Sequence, residues 1–286
     1  MPQAPSEWTV LSMLEWATGF FEEKNVKSPR MSIEWLLSDV LSVKRLDLYL
    51  IYDRPLTAEE LDELRPLVKR RATHEPLQYI TGHTDFHDVQ ILVEPGVLIP
   101  RQETEELVAW ILELHPRGEA LTVLDVGTGS GCIPVALKKA RPDWDVFASD
   151  ISDKALSIAK KNAAHSEVDI TFAKDDLFNP VAFSDRSFDL IISNPPYILH
   201  NEKSVLDKEV KDYEPEEALF CESTAQMYGA LEQLSSGILS PDGTVFLELH
   251  EHNSSEVLGL FDQANWAAEL KNDYGQKTRF LKAKKA

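Results

Sequence analysis

The run Ile191-Ile192-Ser193 leads into Asn194-Pro195-Pro196-Tyr197, and the residue types at that junction can do chemistry. Two adjacent prolines fix φ and carry no N–H, so the segment is stiff and its carbonyls lack local donors. The Asn194 side-chain carbonyl and the Pro195 backbone carbonyl can then face one planar NH2 group, with the Tyr197 ring as a flat surface beside it. Such a lip suits a carboxamide or an exocyclic amine. The plainer alternative is an Asn-Pro turn that only ends a strand.

A second segment, Val123-Leu124-Asp125-Val126-Gly127-Thr128-Gly129-Ser130-Gly131, reads as a strand running into a glycine loop that opens a helix. Glycines at such a turn allow a sharp bend and bring backbone N–H groups close to a ligand. The dinucleotide fingerprint G-x-G-x-x-G would need a glycine where Cys132 stands, and the spacing here is G-x-G-x-G. This favours a ligand without a pyrophosphate, such as S-adenosylmethionine, over NAD. Asp150 lies about 20 residues past the loop, at the end of the next strand, where a carboxylate can accept from both ribose hydroxyls. Asp176 and Leu177 follow the third strand, where an adenine would lie. A tight strand–helix turn with no ligand is the alternative. Cys132 reads as a packed residue at the helix start.

The elements that must position these residues alternate from about residue 104 onward. Strands are expected at Leu121–Val126, Asp145–Ser149, Val168–Ala173, Phe188–Ser193, Thr244–Leu249, Ala267–Leu270 and Thr278–Ala283. Helices are expected at Cys132–Lys139, Asp153–Ala164, Thr224–Leu239 and before the last two strands. Such alternation makes an α/β fold with a mostly parallel sheet covered on both faces, and the final pair, split by Asp273-Tyr274-Gly275, should be an antiparallel hairpin. Residues 76–100 carry turn signals at Gly82 and Glu94-Pro95-Gly96 between the apolar runs Phe86–Val93 and Val97–Ile99, which reads as a β-hairpin. Residues 1–75 are helical: Leu11, Leu14, Ala17 and Phe21 share one face, Trp35, Leu36, Val40 and Leu41 repeat the pattern, and Thr57 with Glu60 forms a capping box. The expected division is therefore a helical bundle at 1–75, a hairpin linker at 76–103 and an α/β domain at 104–286. The bundle holds no catalytic constellation, so it serves either substrate recognition or stability alone.

The composition narrows the partners. The 286 residues carry a formal net charge of −19 with 43% hydrophobic residues. A core is affordable at that hydrophobicity, and an acidic surface repels nucleic acid at long range and attracts a basic partner. No apolar run reaches the 18–20 residues of a membrane span, and MPQAPSEWTV lacks the features of a secretory signal. Two cysteines and no Cys/His spacing suited to zinc argue against a disulfide framework or a metal site and fit a reducing cytoplasm. The pair His250/His252 is expected to be exposed, Trp110, Trp144 and Trp266 to pack, Glu202–Glu217 to form a loop over the site, and Lys282–Lys285 to be a solvated end.

The Asp-Val-Gly-Thr-Gly-Ser-Gly loop with Asn194-Pro195-Pro196-Tyr197 resembles the class I, S-adenosylmethionine-dependent amino-methyltransferases, a group that includes DNA adenine and rRNA guanine enzymes. Pro76-Leu77-Gln78-Tyr79-Ile80-Thr81-Gly82, Phe86, Leu98-Ile99-Pro100-Arg101-Gln102-Glu103-Thr104-Glu105 and Tyr213-Glu214-Pro215-Glu216-Glu217-Ala218-Leu219 narrow the likeness. Together they resemble the HemK/PrmC family of protein-(glutamine-N5) methyltransferases of peptide chain release factors. The resemblance implies a seven-stranded Rossmann-like sheet and methylation of the glutamine in a Gly-Gly-Gln tip. It implies S-adenosylmethionine at Gly127, Thr128, Gly129, Ser130, Gly131, Asp150, Asp176, Leu177 and Asn194, and the substrate amide at Asn194, Pro195, Pro196 and Tyr197. Arg101 and Glu105 near the hinge are expected either at the site rim or in packing roles, and the chain is expected to be a monomer that contacts no nucleic acid directly. After the fifth strand the family's Glu-Ile-Gly is replaced by Glu248-Leu249-His250.

Overall fold

The computed structural model describes residues 5–262 and 266–285. The chain divides by contact into two units, residues 1–82 with 207–213, and residues 83–206 with 214–286. The hairpin expected as a separate linker thus belongs to the second unit, and Asp207–Tyr213 belongs to the first.

The first unit is built on α1 (Val10–Glu23), α2 (Pro29–Val40), α3 (Ala58–Arg71) and α4 (Leu77–Thr81). The Thr57 capping box is formed in full: Glu60 N–H donates to Thr57 Oγ1 at 3.2 Å and Thr57 N–H to Glu60 Oε2 at 2.9 Å, satisfying two donors at the start of α3. Leu14, Ala17 and Phe21 of α1 bury against Ile33, Leu36 and Leu37 of α2 and Leu64 of α3. Trp35, expected on the buried face, is 38% exposed. It lies one position off the Ile33/Leu36/Leu37 stripe, and the Arg45 guanidinium covers its ring at 5.8 Å. The run expected to form a loop over the site is instead ordered as a 3₁₀ turn at His200–Val205 and short helices at Lys208–Tyr213 and Glu216–Leu219. The middle helix is held in the first unit by the buried Arg71, which pairs with Glu209 at 2.7 Å, and by the Tyr213 hydroxyl, which donates to the Thr73 carbonyl at 2.8 Å.

The second unit begins with a hairpin of β1 (His83–Phe86) and β2 (Val89–Leu92). It is tighter than the sequence suggests. The turn falls at His87-Asp88, with His87 at φ 50°, and Val97–Ile99 lies outside any strand, with Val97 and Ile99 buried. The Glu105 carboxylate accepts from the His87 N–H at 2.7 Å and fixes that turn. There follow α5 (Gln102–Leu114), β3 (Thr122–Val126), α6 (Cys132–Ala140), β4 (Asp145–Asp150), α7 (Asp153–His165), β5 (Thr171–Lys174) and β6 (Phe188–Ser193). A two-residue pair, β7 (Ile198–Leu199) and β8 (Phe220–Cys221), precedes a helix at Thr224–Ile238, then β9 (Leu239–Glu248), a helix at Ser254–Asp262, β10 (Trp266–Asn272) and β11 (Thr278–Lys285). The sheet order is β10-β11-β9-β6-β3-β4-β5, with every strand running in one direction except β11, which is antiparallel to both of its neighbours, β9 and β10. This is the seven-stranded, mostly parallel sheet implied above. The expected solvated tail is part of it: Lys282–Lys284 pair with both β9 and β10.

The chain runs from β3 outward through β4 to β5, then returns to β6 on the other side of β3. The strand order therefore reverses between β3 and β6, the place where ligand crevices form in open α/β sheets. Register brings the motifs together there: Asp125 pairs with Ile192 and Val126 with Ser149, so the glycine loop starts level with Asn194 on one side and Asp150 on the other. Phe147, Phe188, Ile191, Tyr228, Leu231, Leu247 and Phe261 make the core beneath this edge. Trp110, Trp144 and Trp266 are packed at 7%, 0% and 6% exposure.

Candidate functional site

A cleft of about 300 Å³ opens at the carboxyl ends of β3, β4, β5 and β6. Its wall includes the loop residues Gly127, Thr128, Gly129 and Ser130, then Asp150, Asp176 and Leu177, and the lip Asn194, Pro195 and Pro196. Gly131 lies just behind. Its φ is +79°, and a Cβ there would meet the Ala159 Cβ at 2.9 Å, so this glycine is required by packing of the loop on α7. Gly127 and Gly129 also have positive φ, +73° and +54°, and a Cβ on either would meet nothing within 4 Å. Their bare backbone faces open space.

Asp150 is fixed by the loop that it faces. Its Oδ2 accepts from Gly129 N–H at 2.8 Å and its Oδ1 from Ser152 N–H at 2.9 Å. Burial pushes its carboxyl up, and those N–H groups oppose the shift. Asn162 of α7, fully buried, joins the loop to the hairpin: its amide donates to the Ser130 and Leu92 carbonyls at 2.9 Å each and accepts from Leu92 N–H at 2.7 Å. Across the cleft, Ser193 donates to the Val126 carbonyl at 2.7 Å, tying the lip strand to the loop strand. Neither the Asn194 Oδ1 nor the Pro195 carbonyl receives a hydrogen bond among the described residues, and both prolines have trans peptide bonds.

Two residues that the sequence places in the site lie outside the cleft wall. The Tyr197 ring packs on the core and against His250 at 5.7 Å, with its hydroxyl 3.4 Å from Glu248 Oε1. Burial raises its pKa beyond the ordinary phenol range. His250 is accordingly half-buried rather than exposed. The Arg101 guanidinium pairs at 2.6 Å with Glu214, whose side chain is 2% exposed, and Glu214 also accepts from Ile99 N–H at 3.4 Å. This pair anchors the segment whose next residues, Pro215, Glu217 and Ala218, close one side of the cleft. Arg101→Ala is expected to lower stability to urea by about 2–3 kcal/mol, because it strips the charge partner from a buried carboxylate; a loss below about 0.5 kcal/mol would show that the pair anchors nothing.

Two residues of the site appear in the sequence only inside family-like runs, with no role assigned to them. Thr104 of α5 donates to Glu248 Oε2 at 2.7 Å and accepts from Asn194 Nδ2 at 3.0 Å. Glu248 ends β9, which pairs with β6 so that Leu247 faces Ser193. The helix that carries Thr104 is not among the elements expected from the sequence, although Leu107, Val108, Trp110, Ile111 and Leu114 repeat at helical spacing. The contact between Thr104 and Glu248 spans 144 residues and depends on sheet order, which spacing does not reveal.

Beneath the loop, Asp125 is fully buried, and neither carboxylate oxygen has a hydrogen-bond partner among the described residues. Burial pushes Asp125 and Glu248 each up to about 7. Both pKa values are raised above those of the unfolded chain, so each contributes stability that is fully present below about 4 and lost as pH rises through 7. Thermal and urea unfolding should show the fold weaker at pH 8 than at pH 5.5 by about 2 kcal/mol per group. Asp125→Asn and Glu248→Gln should each flatten the difference, and a fold stronger at pH 8 would contradict the assignment. Cys132 is buried and its thiol is pushed up to about 12 by burial, so it is a packing residue.

The chemistry of the cleft wall discriminates between ligands. It carries the carboxylates of Asp150, Asp175, Asp176 and Glu217, and no lysine, arginine or histidine among the described residues. A pyrophosphate would meet no countercharge there, whereas a sulfonium with an ammonium group would be favoured. The apolar surfaces of Val97, Ile133, Leu177 and Phe183 suit a planar base. The donor set therefore fits S-adenosylmethionine.

Residues 12–82 match the family model for the PrmC N-terminal domain, and residues 101–212 that for the methyltransferase small domain. The release factor glutamine methyltransferase of Geobacter sulfurreducens is 40% identical over 267 residues, covering 93% of each chain. That of Chlorobaculum tepidum is 37% identical over 284 residues, covering 96% of each. In fold, the second unit's class is shared by a Pyrococcus furiosus methyltransferase of known structure, at a TM-score of 0.50 and 16% identity over 68% of this chain and 88% of that one. With such identity sustained over nearly its whole length, the chain belongs to the release factor glutamine methyltransferases.

Proposed function

We propose that this chain transfers a methyl group from S-adenosylmethionine to the side-chain amide nitrogen of the glutamine in the Gly-Gly-Gln motif of a peptide chain release factor. The observation that carries this reading is the juxtaposition, in one cleft with no cationic side chain among its described lining residues, of the glycine loop and the Asn194–Pro195 acceptor pair. S-adenosylmethionine, when bound, supplies a methyl group already activated on sulfonium. Gly127, Thr128, Gly129 and Ser130 would hold it through backbone, Asp150 through its ribose, and Asp176 and Leu177 at its adenine.

A carboxamide nitrogen is a weak nucleophile because its lone pair is shared with the carbonyl. The lip's task is to hold the two amide N–H groups on the Asn194 and Pro195 carbonyls, so that the nitrogen is aimed rather than tumbling. Positioning of this kind is worth about 7–11 kcal/mol of the barrier. The same two acceptors stabilise positive charge as it develops on nitrogen, an effect strongest in the transition state. Pro196 keeps the lip rigid, and Tyr197 braces it from the core side through Glu248. Arg101 acts through Glu214 on the cleft wall.

The −19 net charge complements a basic protein surface. Among the described residues no helix is long and apolar enough to cross a membrane, and the reading places the enzyme in the cytoplasm, where release factors work. Incubation with labelled S-adenosylmethionine and a choice of release factor, ribosomal RNA and DNA tests the assignment. Label is expected in the release factor, and label in either nucleic acid would replace this reading with that of a nucleic-acid N-methyltransferase.

A further inference from the structure

We propose that Thr104 and Glu248 are positioning residues that fix which end of the Asn194 side-chain amide faces the cleft. The proposal rests on the reading of the Asn-Pro-Pro lip as the glutamine cradle and adds to it what sets the lip's polarity.

The argument starts from proton counting. A threonine hydroxyl has one proton, and a carboxylate can only accept. Thr104 gives its proton to Glu248 Oε2 at 2.7 Å. Its oxygen can then only accept, so Asn194 must turn its NH2 group to it, as it does at 3.0 Å. That leaves the Asn194 Oδ1 as the group presented to the cleft, the polarity needed to hold an amide NH2. With the chain of bonds reversed, Asn194 would present its own NH2 to the substrate's, donor against donor.

Burying a carboxylate in this way is costly without compensation, which makes the position of Glu248 informative. It lies in the core at 1% exposure. Its surroundings are Thr104 and the charged Glu103 on α5, Arg279 on β11, Tyr197 after the lip, the Tyr228 hydroxyl donating to its backbone carbonyl at 2.8 Å, and the Cys132 thiol on α6. Burial raises its pKa to about 7. Protonated Glu248 can donate to Thr104, which frees the Thr104 proton for Asn194 and reverses the chain. Activity should thus fall as pH drops through about 7.

The experiment uses the full-length enzyme with three variants. Thr104→Val is isosteric and breaks the relay, Thr104→Ser keeps it, and Glu248→Gln cannot ionise. Thr104→Val should lower kcat for release-factor glutamine about 10- to 100-fold, the scale of one lost charge-linked hydrogen bond, with the Kd for S-adenosylmethionine within about threefold. Thr104→Ser should stay within about threefold of the parent, and Glu248→Gln should lose the acid limb of the pH profile. A second readout does not depend on turnover: in protein labelled with ¹⁵N-asparagine, the Asn194 side-chain NH2 signal, assigned by its loss in Asn194→Ala, should titrate near pH 7 and cease to do so in Glu248→Gln. A signal indifferent to pH, a Thr104→Val enzyme with parental kcat, or a defect that serine fails to rescue would overturn the positioning. Absence of glutamine methylation by the parent enzyme would instead overturn the reading of the site, leaving the titration to decide the positioning on its own.

Discussion

Asn194→Ala is expected to lower kcat about 100- to 1,000-fold while leaving the Kd for S-adenosylmethionine within about tenfold. The size follows from removing one preorganised hydrogen-bond acceptor from the place where charge develops in the transition state. The asymmetry follows from the geometry. Asn194 stands at the lip, level with the start of the glycine loop, and its Oδ1 is free for a substrate donor. The loop, Asp150 and Asp176 are untouched by the change, so the cofactor half of the cleft persists. Steady-state kinetics with calorimetry separates the two effects. Near-normal turnover by the alanine enzyme would refute the cradle, and an equal loss in both quantities would move Asn194 from the acceptor half of the site to the cofactor half.

The complementary variant, Asp150→Ala, should raise the Kd for S-adenosylmethionine about 100-fold and affect kcat at saturation far less. Hydrogen bonds to a charged acceptor are worth about 1.5–3 kcal/mol each, and two ribose hydroxyls would lose theirs. The Gly129 and Ser152 N–H groups lose their acceptor as well, so the loop loosens where the ligand lies. Asp150→Asn, which keeps one acceptor, should fall between. An unchanged Kd in calorimetry would contradict the ribose assignment.

Much of this site was legible in the sequence because its parts are local. The glycine loop is a strand–turn–helix whose positive-φ positions only glycine adopts without strain, and the lip is four consecutive residues. Their meeting was legible too, since alternation of strands and helices implies a parallel sheet whose carboxyl edge gathers both. What local pattern could not give was the environment around them. Thr104 and Glu248 come to Asn194 from a helix and a strand far apart in the chain, through the pairing of β6 with β9. Arg101 read equally as a rim residue or a packing residue, because sequence does not show its partner, and the structure pairs it with Glu214. Tyr197 read as a stacking surface, and the ring instead turns to the core beside Glu248 and His250. The hairpin was misplaced by a few residues because His87, rather than a glycine, takes the left-handed turn position.

The central claim is that one carboxamide is held beside an activated methyl group by the Asn-Pro-Pro lip. The most direct measurement is tandem mass spectrometry of a release factor after incubation with the enzyme and deuterated-methyl S-adenosylmethionine. The account predicts a single labelled methyl on the side-chain nitrogen of the Gly-Gly-Gln glutamine, absent with the Asn194→Ala enzyme. Label on a lysine, arginine or terminal amine, or the same glutamine labelled at the parental rate by Asn194→Ala, would contradict it.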